Sequence, residues 1–449
     1  MGPRDTSTTG MDVLVLQRDR RIDGAVELRC LTSPLPPLST LHLRTHLNLF
    51  VIALIGLMLV GCSKPAATPD VSADLPLDPD ALAARLVVAK PGDVISLPRG
   101  TFTMRRGLNL SVDGVTIRGA GKEATILDFG TQSQGAEGLL VNASNFTIEG
   151  LTIRNTRGDA LKINEGKNIV VRSVRTEWTG GPSPHNGAYG IYPVQCEGVL
   201  IEDSEAVGAS DAGIYVGQSS RIIVRNNRAE QNVAGIEIEN STLADVHDNV
   251  VTNNTGGILV FDLPGIPVQG GHGTRVFKNR IVDNNTANFA PEGNIVGTVP
   301  AGTAVMINAN DNIEVFDNDI SGHQTASVLI ISYLVTKRPI NDPTYDPYPE
   351  SIHVHHNRIG RGGWDPASDD LARVRTKISA GSLPAVLWDG IVNPAHLVNG
   401  QLPEALRICI HDNGTNTVAN LDAANNFSNV SQDPSPFNCT LPALPAVKL

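Results

Sequence analysis

Short apolar segments recur through the middle of the chain at a nearly constant spacing. A glycine followed by isoleucine begins at residues 213, 235 and 257, at steps of 22 residues. In each segment apolar and other residues alternate, as in "GIYV", which predicts a short strand with one buried face. A step of this length accommodates two or three such strands and their turns. Each repeat is therefore predicted to form one coil of a stacked structure.

The same alternation extends well beyond these three segments. It occurs at Ala160–Ile163, Gly190–Pro193, Gly213–Val216, Gly235–Ile238, Gly257–Val260, Ala304–Ile307 and Ser327–Ile330. A single coil cannot bury its apolar face, whereas stacked coils about 4.8 Å apart bury a continuous core of isoleucine and valine. The pattern predicts a parallel β-helix, and the handedness of parallel strand connections predicts that it is right-handed.

A second repeated feature is an asparagine three residues after a valine. It is found at Asn227, Asn249, Asn279, Asn318 and Asn357, and Ile201–Ser204 keeps the spacing with serine. Stacked coils place these asparagines in one column at a corner. Each side-chain amide is then expected to donate a hydrogen bond to one neighbour and accept one from the other.

The amino-terminal edge of the repeats carries a resemblance to a known group. A short amphipathic helix is predicted to be capped near Asp78 and to end at Lys90–Asp93, before "VISLPRGTF". This arrangement resembles the right-handed parallel β-helix proteins of the pectin-lyase-like superfamily, and also functionally unassigned bacterial lipoproteins with such repeats. The resemblance covers about residues 76–360. It implies an all-β, single-stranded right-handed parallel β-helix with an N-terminal capping helix and a small irregular C-terminal cap. It implies no single activity, because the superfamily contains lyases, hydrolases, esterases, epimerases, adhesins and accessory proteins.

The sequence before the repeats predicts export. The apolar run Leu47–Val60 follows Arg44 and has the length of a signal peptide, and Leu59–Cys62 resembles a bacterial lipobox. We therefore expect lipidation of Cys62, attachment to the membrane through that lipid, and an outer-membrane lipoprotein of the bacterial envelope. The predicted segments are a non-native extension (1–42), a signal peptide (43–61), a flexible tether (62–76), the β-helix (77–360) and a C-terminal cap (361–449) with a helix near Ser368.

The net charge limits the classes of binding partner, and the cysteines are informative about the compartment. The net charge of −11 makes nucleic acid an improbable partner, since a phosphate backbone needs clustered cations. Cys409 and Cys439 are expected to pair in an oxidising compartment, and Cys196 is expected to be a small buried residue. We expect a monomer that binds a polysaccharide or an envelope protein.

Strand alternation identifies two outward columns that begin with polar residues. They are Lys162, Tyr192, Tyr215, Glu237, Leu259, Met306 and Leu329, and Asn164, Val194, Gly217, Glu239, Phe261, Asn308 and Ile331. Insertions at 176–188, 262–273, 284–302 and 332–350 are predicted to wall a groove beside them.

This groove suits sugar chemistry. The candidate catalytic residues are Lys162, His185, Tyr192, Tyr215, Glu237 and Glu239, and the candidate substrate-binding residues are Trp178, Tyr189, Asn164, Phe261 and Asn308. A cation beside a uronate carboxylate, with His or Tyr moving a proton, favours a polysaccharide lyase or epimerase. Glu237 and Glu239, about 7 Å apart on one strand face, alternatively suit hydrolysis. The cofactor is unknown, with calcium one possibility.

Two other functions stay open. One is non-catalytic binding of a glycan or an envelope protein, and the other is an accessory role for a metalloenzyme. "YGIYP" resembles the "YGxDPH" element of mannuronan C5-epimerases, but Tyr192 and Val194 replace its Asp and His, so that activity is not transferred. His353 and His355 share a strand face, yet no third metal ligand is evident. An exposed strand without a metal site is therefore the expectation.

Overall fold

The computed structural model describes residues 77–378, 381–414 and 417–449. The predicted segments 1–42, 43–61 and 62–76, including the lipidation site Cys62, lie outside the described residues. Within the described ranges, no helix is long and apolar enough to cross a bilayer.

Strands dominate the described residues. In chain order they are Val94–Ser96 (β1), Gly100–Thr103 (β2), Arg106–Leu110 (β3), Thr116–Arg118 (β4), Thr125–Asp128 (β5), Gln134–Val141 (β6), Thr147–Arg154 (β7), Leu161–Asn164 (β8), Lys167–Glu177 (β9), Tyr189–Val194 (β10), Glu197–Glu202 (β11), Glu205–Val207 (β12), Ala212–Gly217 (β13), Ser220–Arg225 (β14), Arg228–Glu230 (β15), Ala234–Glu239 (β16), Thr242–His247 (β17), Val250–Thr252 (β18), Gly256–Phe261 (β19), His272–Phe277 (β20), Arg280–Val282 (β21), Thr303–Asn308 (β22), Asp311–Phe316 (β23), Asp319–Ser321 (β24), Ala326–Ile331 (β25), Ile352–His355 (β26), Arg358–Ile359 (β27), Val386–Trp388 (β28), Ile408–His411 (β29) and Val418–Asn420 (β30). The α-helices are Pro79–Val87 (α1) and Asp369–Ile378 (α2), and short 3-10 helices span Val296–Thr298, Tyr333–Thr336, Pro394–His396, Glu404–Leu406, Ala423–Asn425 and Ser435–Phe437.

The strands form two parallel sheets that wrap one core. An 11-stranded sheet contains β3, β6, β8, β10, β13, β16, β19, β22, β25, β28 and β30, and the other strands form a 19-stranded sheet that covers two sides of each coil. Ile214 lies beside Ile236, which lies beside Ile258. Val305 and Val328 continue this column, and all five side chains are fully buried. The predicted all-β parallel β-helix is confirmed.

The predicted asparagine column is present at one corner of the coils. The side-chain amide of Asn227 donates to Asn249 (3.0 Å), Asn249 donates to Asn279 (2.9 Å), and Asn279 donates to Asn318 (3.0 Å). Each asparagine also donates to a carbonyl of the preceding coil, as Asn279 does to Val246 (2.9 Å). The column satisfies corner groups that would otherwise be buried without partners.

A second amide column occupies another corner and was not predicted. Asn232 donates to Asn254 (3.0 Å), which donates to Asn284 (2.8 Å), and Asn284 lies 3.1 Å from Nε2 of His323. The residue before each corner amide adopts a left-handed backbone conformation, for example Asp248 with φ 55°. Asparagine and aspartate tolerate this conformation best, which explains their frequency at the corners.

Helix α1 covers the first coil, as predicted. Asp78 caps it by accepting a hydrogen bond from the N–H of Asp80 (2.9 Å), while Leu82 and Leu86 are buried against the core. We expect Asp78→Ala to lower the free energy of unfolding by about 1 kcal/mol, because an N-terminal N–H loses its acceptor. Asp78→Asn keeps an acceptor and is the matched control. Equal urea-denaturation midpoints for the two variants would contradict this role.

The sheets continue beyond residue 360, where the sequence predicted a cap. β28 pairs with β25, and β29 pairs with β26, so a further coil follows the insertion that carries α2. The helix near Ser368 was predicted here, but the extension of both sheets was not. A disulfide joins Cys409 to Cys439, and Cys196 is free and buried, both as predicted.

Candidate functional site

The outward columns of the 11-stranded sheet have the predicted register. Lys162 lies beside Tyr192, Tyr215 lies beside Glu237, and Gly217 lies beside Glu239. Stacking therefore brings together a cation, phenols and carboxyl groups from four successive coils, although they are far apart in sequence.

The residues at the centre of this face form a tyrosine–carboxyl cluster, which consists of Tyr189, Tyr192, Tyr215, Asp211, Glu237 and Glu239. The centroids of the Tyr189 and Tyr192 rings are 4.4 Å apart, and that of Tyr215 lies 4.7 Å and 4.9 Å from them. Tilted and edge-on contacts at these distances are favourable between aromatic rings. The three rings therefore form one packed group across two coils.

A glycine allows one of these rings to reach the carboxyl groups. The hydroxyl of Tyr215 donates to Oε1 of Glu239 (2.7 Å). A Cβ atom at Gly217 would lie 2.3 Å from that hydroxyl, so the Tyr215 ring folds over the bare backbone of Gly217. A side chain at this position would displace the ring and break its hydrogen bond to Glu239.

Burial governs the acidity of the carboxyl groups. Burial, then the neighbouring Glu239, raises the pKa of Asp211 to about 7. Burial also raises the pKa of Glu239 to about 7, although the bond from Tyr215 lowers it. Burial, then the charges of Asp211 and Glu239, raises the pKa of Glu237 well above its ordinary value, and Oε2 of Glu237 has no hydrogen-bond partner among the described residues. Burial therefore favours the protonated form of Glu237, and it moves the titration of Asp211 and Glu239 towards neutral pH.

The half-buried edge of this face contains Asp159, Lys162 and Tyr192. Nζ of Lys162 lies 3.9 Å from Oδ2 of Asp159 and 4.9 Å from the centroid of the Tyr192 ring. Burial raises the pKa of Asp159 to about 6, although the charge of Lys162 lowers it. Burial, then the charge of Asp159, raises the pKa of Tyr192 to about 12. A carboxylate that can accept a proton and a phenol that can donate one thus lie next to the same ammonium group.

The later coils of this face are covered rather than open. Val296 and Val299 of the predicted insertion 284–302, together with Leu371 and Val374 of α2, pack in a buried cluster with the outward apolar side chains. Asn294 of the same insertion donates to Asp211 (3.2 Å). The insertions were predicted to wall a groove, but this one lies over the sheet.

Several predicted site residues are consequently placed differently from expectation. Phe261 and Asn308 are buried on the covered face, so their prediction as an exposed substrate-binding surface is wrong. Trp178 belongs to the core and donates to the carbonyl of Thr156 (2.8 Å), so its ring does not line a cleft. Its neighbours in the chain are polar turn residues, and the sequence pattern therefore did not reveal its burial.

The other two predicted residues lie apart from the tyrosine–carboxyl cluster. Asn164 is half-buried and donates to Asn142 in the preceding coil (3.0 Å). His185 is exposed in the insertion 176–188, where its backbone N–H donates to the hydroxyl of Ser183 (3.2 Å). A role for either residue stays a prediction.

Sequence reasoning missed Asp211, which directly precedes strand β13, and Asp159, which lies two residues before strand β8. Asp159 lies opposite Tyr189 in the stack, where the backbone N–H of Tyr189 donates to Oδ1 of Asp159 (3.3 Å). Extending the repeat alignment three residues before Lys162 would have placed Asp159 and Tyr189 in one column. The described residues also contain two groups with metal-ligand spacing, which are Glu314, His353 and His355, and Asp346, Glu350 and His396.

Comparisons with known proteins agree with this fold. The sequence matches the family described as "Right handed beta helix region" over residues 107–263 and 185–336, which together span more than half of the chain. No curated protein matches the sequence.

Several solved structures are similar to this chain at low identity. The A-module of a mannuronan C-5 epimerase from Azotobacter vinelandii is 18% identical with a TM-score of 0.42, covering 70% of this chain and 86% of that one. An alginate lyase from Paenibacillus is 14% identical (TM-score 0.28, 63% and 97% covered), and the Dettilon tailspike protein is 14% identical (TM-score 0.32, 70% and 57% covered). Similarity at this level gives no indication of activity. The family match and the stacked parallel coils establish that the chain belongs to the right-handed β-helix family.

Proposed function

We propose that this chain is an envelope protein that binds an acidic polysaccharide on the outer face of the 11-stranded sheet, at strands β8 and β10, and alters its uronate units by proton transfer. The observation that carries the proposal is the contact between Lys162, Asp159 and Tyr192 at the half-buried end of the tyrosine–carboxyl cluster. These residues combine a positive charge with a carboxylate that can accept a proton and a neutral phenol that can donate one.

Each group has a distinct role in this reaction. Lys162 pairs with the uronate carboxylate, which makes the proton on the adjacent carbon more acidic. Asp159 is ionised above about pH 6 and accepts that proton as the general base. Tyr192 is neutral at pH 7 and donates a proton, either to the leaving glycosidic oxygen in a lyase or to the opposite face of the carbon in an epimerase.

The other residues of the tyrosine–carboxyl cluster affect the charge and the orientation of these groups. Burial raises the pKa of Glu237 and so disfavours a negative charge that would oppose the substrate carboxylate. Tyr189 contacts the Tyr192 ring and thereby restricts its orientation. Tyr192 lies on strand β10 and Asp159 lies two residues before strand β8, so the stacked coils hold the acid and the base in place, as proton transfer requires.

The test is incubation of the full-length protein with a panel of polyuronides. Ultraviolet absorbance of unsaturated ends reports a lyase, and NMR of the recovered polymer reports altered uronate stereochemistry. We expect activity to increase as the pH rises through about 6, and Lys162→Gln and Tyr192→Phe to lower kcat/KM by about 100-fold or more without changing thermal stability. Lys167→Gln is the matched control, since Lys167 is an exposed lysine paired with Glu197.

A second candidate is glycan binding without chemistry, and burial of Tyr215 and Glu237 beneath their neighbours favours it. In that case the protein is retained on an immobilised polyuronide but forms no product, and Lys162→Gln reduces retention. Product formation that is unchanged in Lys162→Gln and Tyr192→Phe would contradict the proposed site.

A further inference from the structure

A separate set of polar residues lies on the outer surface of the 19-stranded sheet. Glu314 lies beside His353, while Phe316 lies beside His355, which lies beside His411. These positions come from β23, β26 and β29, so three successive coils contribute to one small area.

The ligand atoms in this area converge. Nε2 of His355 lies 3.1 Å from Oε1 of Glu314, and Nε2 of His353 lies 2.8 Å from Nε2 of His411. One ligand atom from each of Glu314, His353 and His355 lies within 4.8 Å of the other two. Four ligands placed tetrahedrally around Zn²⁺ lie about 3.3 Å from one another, so these separations are close to those of a metal centre.

Burial distinguishes this group from an ordinary surface strand. Glu314 and His353 are each 5% exposed, and Nδ1 of His353 is buried without a hydrogen-bond partner among the described residues. The expectation of an exposed strand at His353 was therefore wrong.

Neighbouring groups hold the ligands in orientation. Nδ1 of His411 lies 2.8 Å from Oδ2 of Asp412, which leaves Nε2 directed at His353. The backbone N–H of Leu444 donates to Oε2 of Glu314 (3.1 Å), which leaves Oε1 for His355. Carboxylate and backbone partners of this kind orient ligands around protein-bound metals.

Residues near the carboxy terminus contact the site and the residues beside it. Besides the contact of Leu444 with Glu314, the N–H of Val447 donates to Oδ2 of Asp245 (3.1 Å). The disulfide from Cys409, which lies beside His353 in the sheet, fixes where this segment begins. Arg275 forms its ion pair with Asp245 (2.8 Å) and accordingly does not compete for Glu314.

We propose that Glu314, His353, His355 and His411 form a binding site for a divalent transition-metal ion that prefers imidazole ligands, such as zinc or copper. Imidazole nitrogens dominate the ligand set, whereas calcium and magnesium prefer oxygen ligands. This site is on the 19-stranded sheet and does not rest on the function proposed for the other sheet.

The test uses full-length protein in detergent, stripped with a chelator and titrated with Zn²⁺ alone. We expect one bound ion per chain with a Kd of about 1 µM or tighter, a higher Tm with Zn²⁺, and nitrogen hyperfine structure in the electron paramagnetic resonance spectrum of the Cu²⁺ form. His355→Gln and Glu314→Gln should each weaken Zn²⁺ binding by about 100-fold or more.

Matched controls separate a metal site from a purely structural stack of rings. His247 stacks on Phe277 in the same column as His355 but lies away from Glu314, so His247→Gln should retain Zn²⁺ binding. Equal affinity of wild type, His247→Gln and His355→Gln would overturn the proposal. So would loss of the bound ion in His396→Gln alone, because that result would place it at Asp346, Glu350 and His396. Because Glu314 and His353 are both buried, His355→Gln is the deciding variant.

Discussion

Replacement of Asn279 by alanine is expected to lower the free energy of unfolding by roughly 2–6 kcal/mol. The side-chain oxygen of Asn279 accepts from both the backbone N–H (3.0 Å) and the side-chain amide (2.9 Å) of Asn249. Its own amide donates to Val246 and Asn318. Alanine leaves the backbone N–H of Asn249 and one of its two side-chain N–H groups buried without an acceptor, at about 1–3 kcal/mol for each, while the other side-chain N–H still donates to Val224.

Urea denaturation followed by circular dichroism measures this loss. Asn109→Ala is the matched control, because Asn109 is an exposed asparagine on strand β3. Its denaturation midpoint should stay close to that of wild type. Hydrogen exchange at the N–H of Asn249 gives a local measurement, and it should accelerate in Asn279→Ala. Equal midpoints for the two variants would show that the amide column does not stabilise the coils.

The fold was predictable because the sequence repeats the same physical requirement in each coil. Inward positions must be apolar, and one corner needs an amide, so both signals appear at a constant step. The second corner was missed because its column is less uniform. Asn232, Asn254 and Asn284 continue into His323, and this change of residue type interrupts the pattern.

The sequence predicted which residues of the candidate site are neighbours in the sheet, but not how far they are exposed to solvent. Strand alternation correctly placed Tyr215 and Glu237 on the outer face of the sheet. It could not show that residues from the insertion 284–302 return over that face and bury Phe261. Long-range covering of this kind depends on loop conformation, for which a repeat pattern contains no information.

A stricter alignment of the repeats would have brought the proposed metal ligands Glu314, His353, His355 and His411 together. "IEVFDN", "IHVHHN" and "ICIHDN" share the corner asparagine, and stacking them places Glu314 beside His353, and His411 beside His355. The third segment was assigned to the cap, so the additional ligands were not recognised. Recognition of the last coil therefore changes the functional interpretation as well as the domain boundary.

The buried carboxyl groups predict an unusual pH dependence of stability, and Asp211 is the position at which to measure it. Burial, then Glu239, raises the pKa of Asp211 to about 7 from an ordinary value of 3.8. Its contribution to stability is full below about pH 4 and is lost as the pH rises through 7, since ionisation of the folded protein is then unfavourable. The stability of Asp211→Asn relative to wild type should therefore rise by a few kcal/mol between about pH 4 and pH 8, at about 1.4 kcal/mol per pKa unit.

Asp128→Asn is a control in which the pKa of the replaced carboxyl group is lowered rather than raised. Although burial raises the pKa of Asp128, hydrogen bonds from Gly130 and Arg154 lower it overall, so its contribution is lost only as the pH falls below the ordinary value. The difference in unfolding free energy between Asp128→Asn and wild type should stay flat over the range in which that for Asp211→Asn rises. A flat profile for Asp211→Asn would mean that water or a counter-ion stabilises the charge of Asp211 in the folded protein. The raised pKa of Glu237 would then lose its basis as well, because burial is the main cause of both shifts.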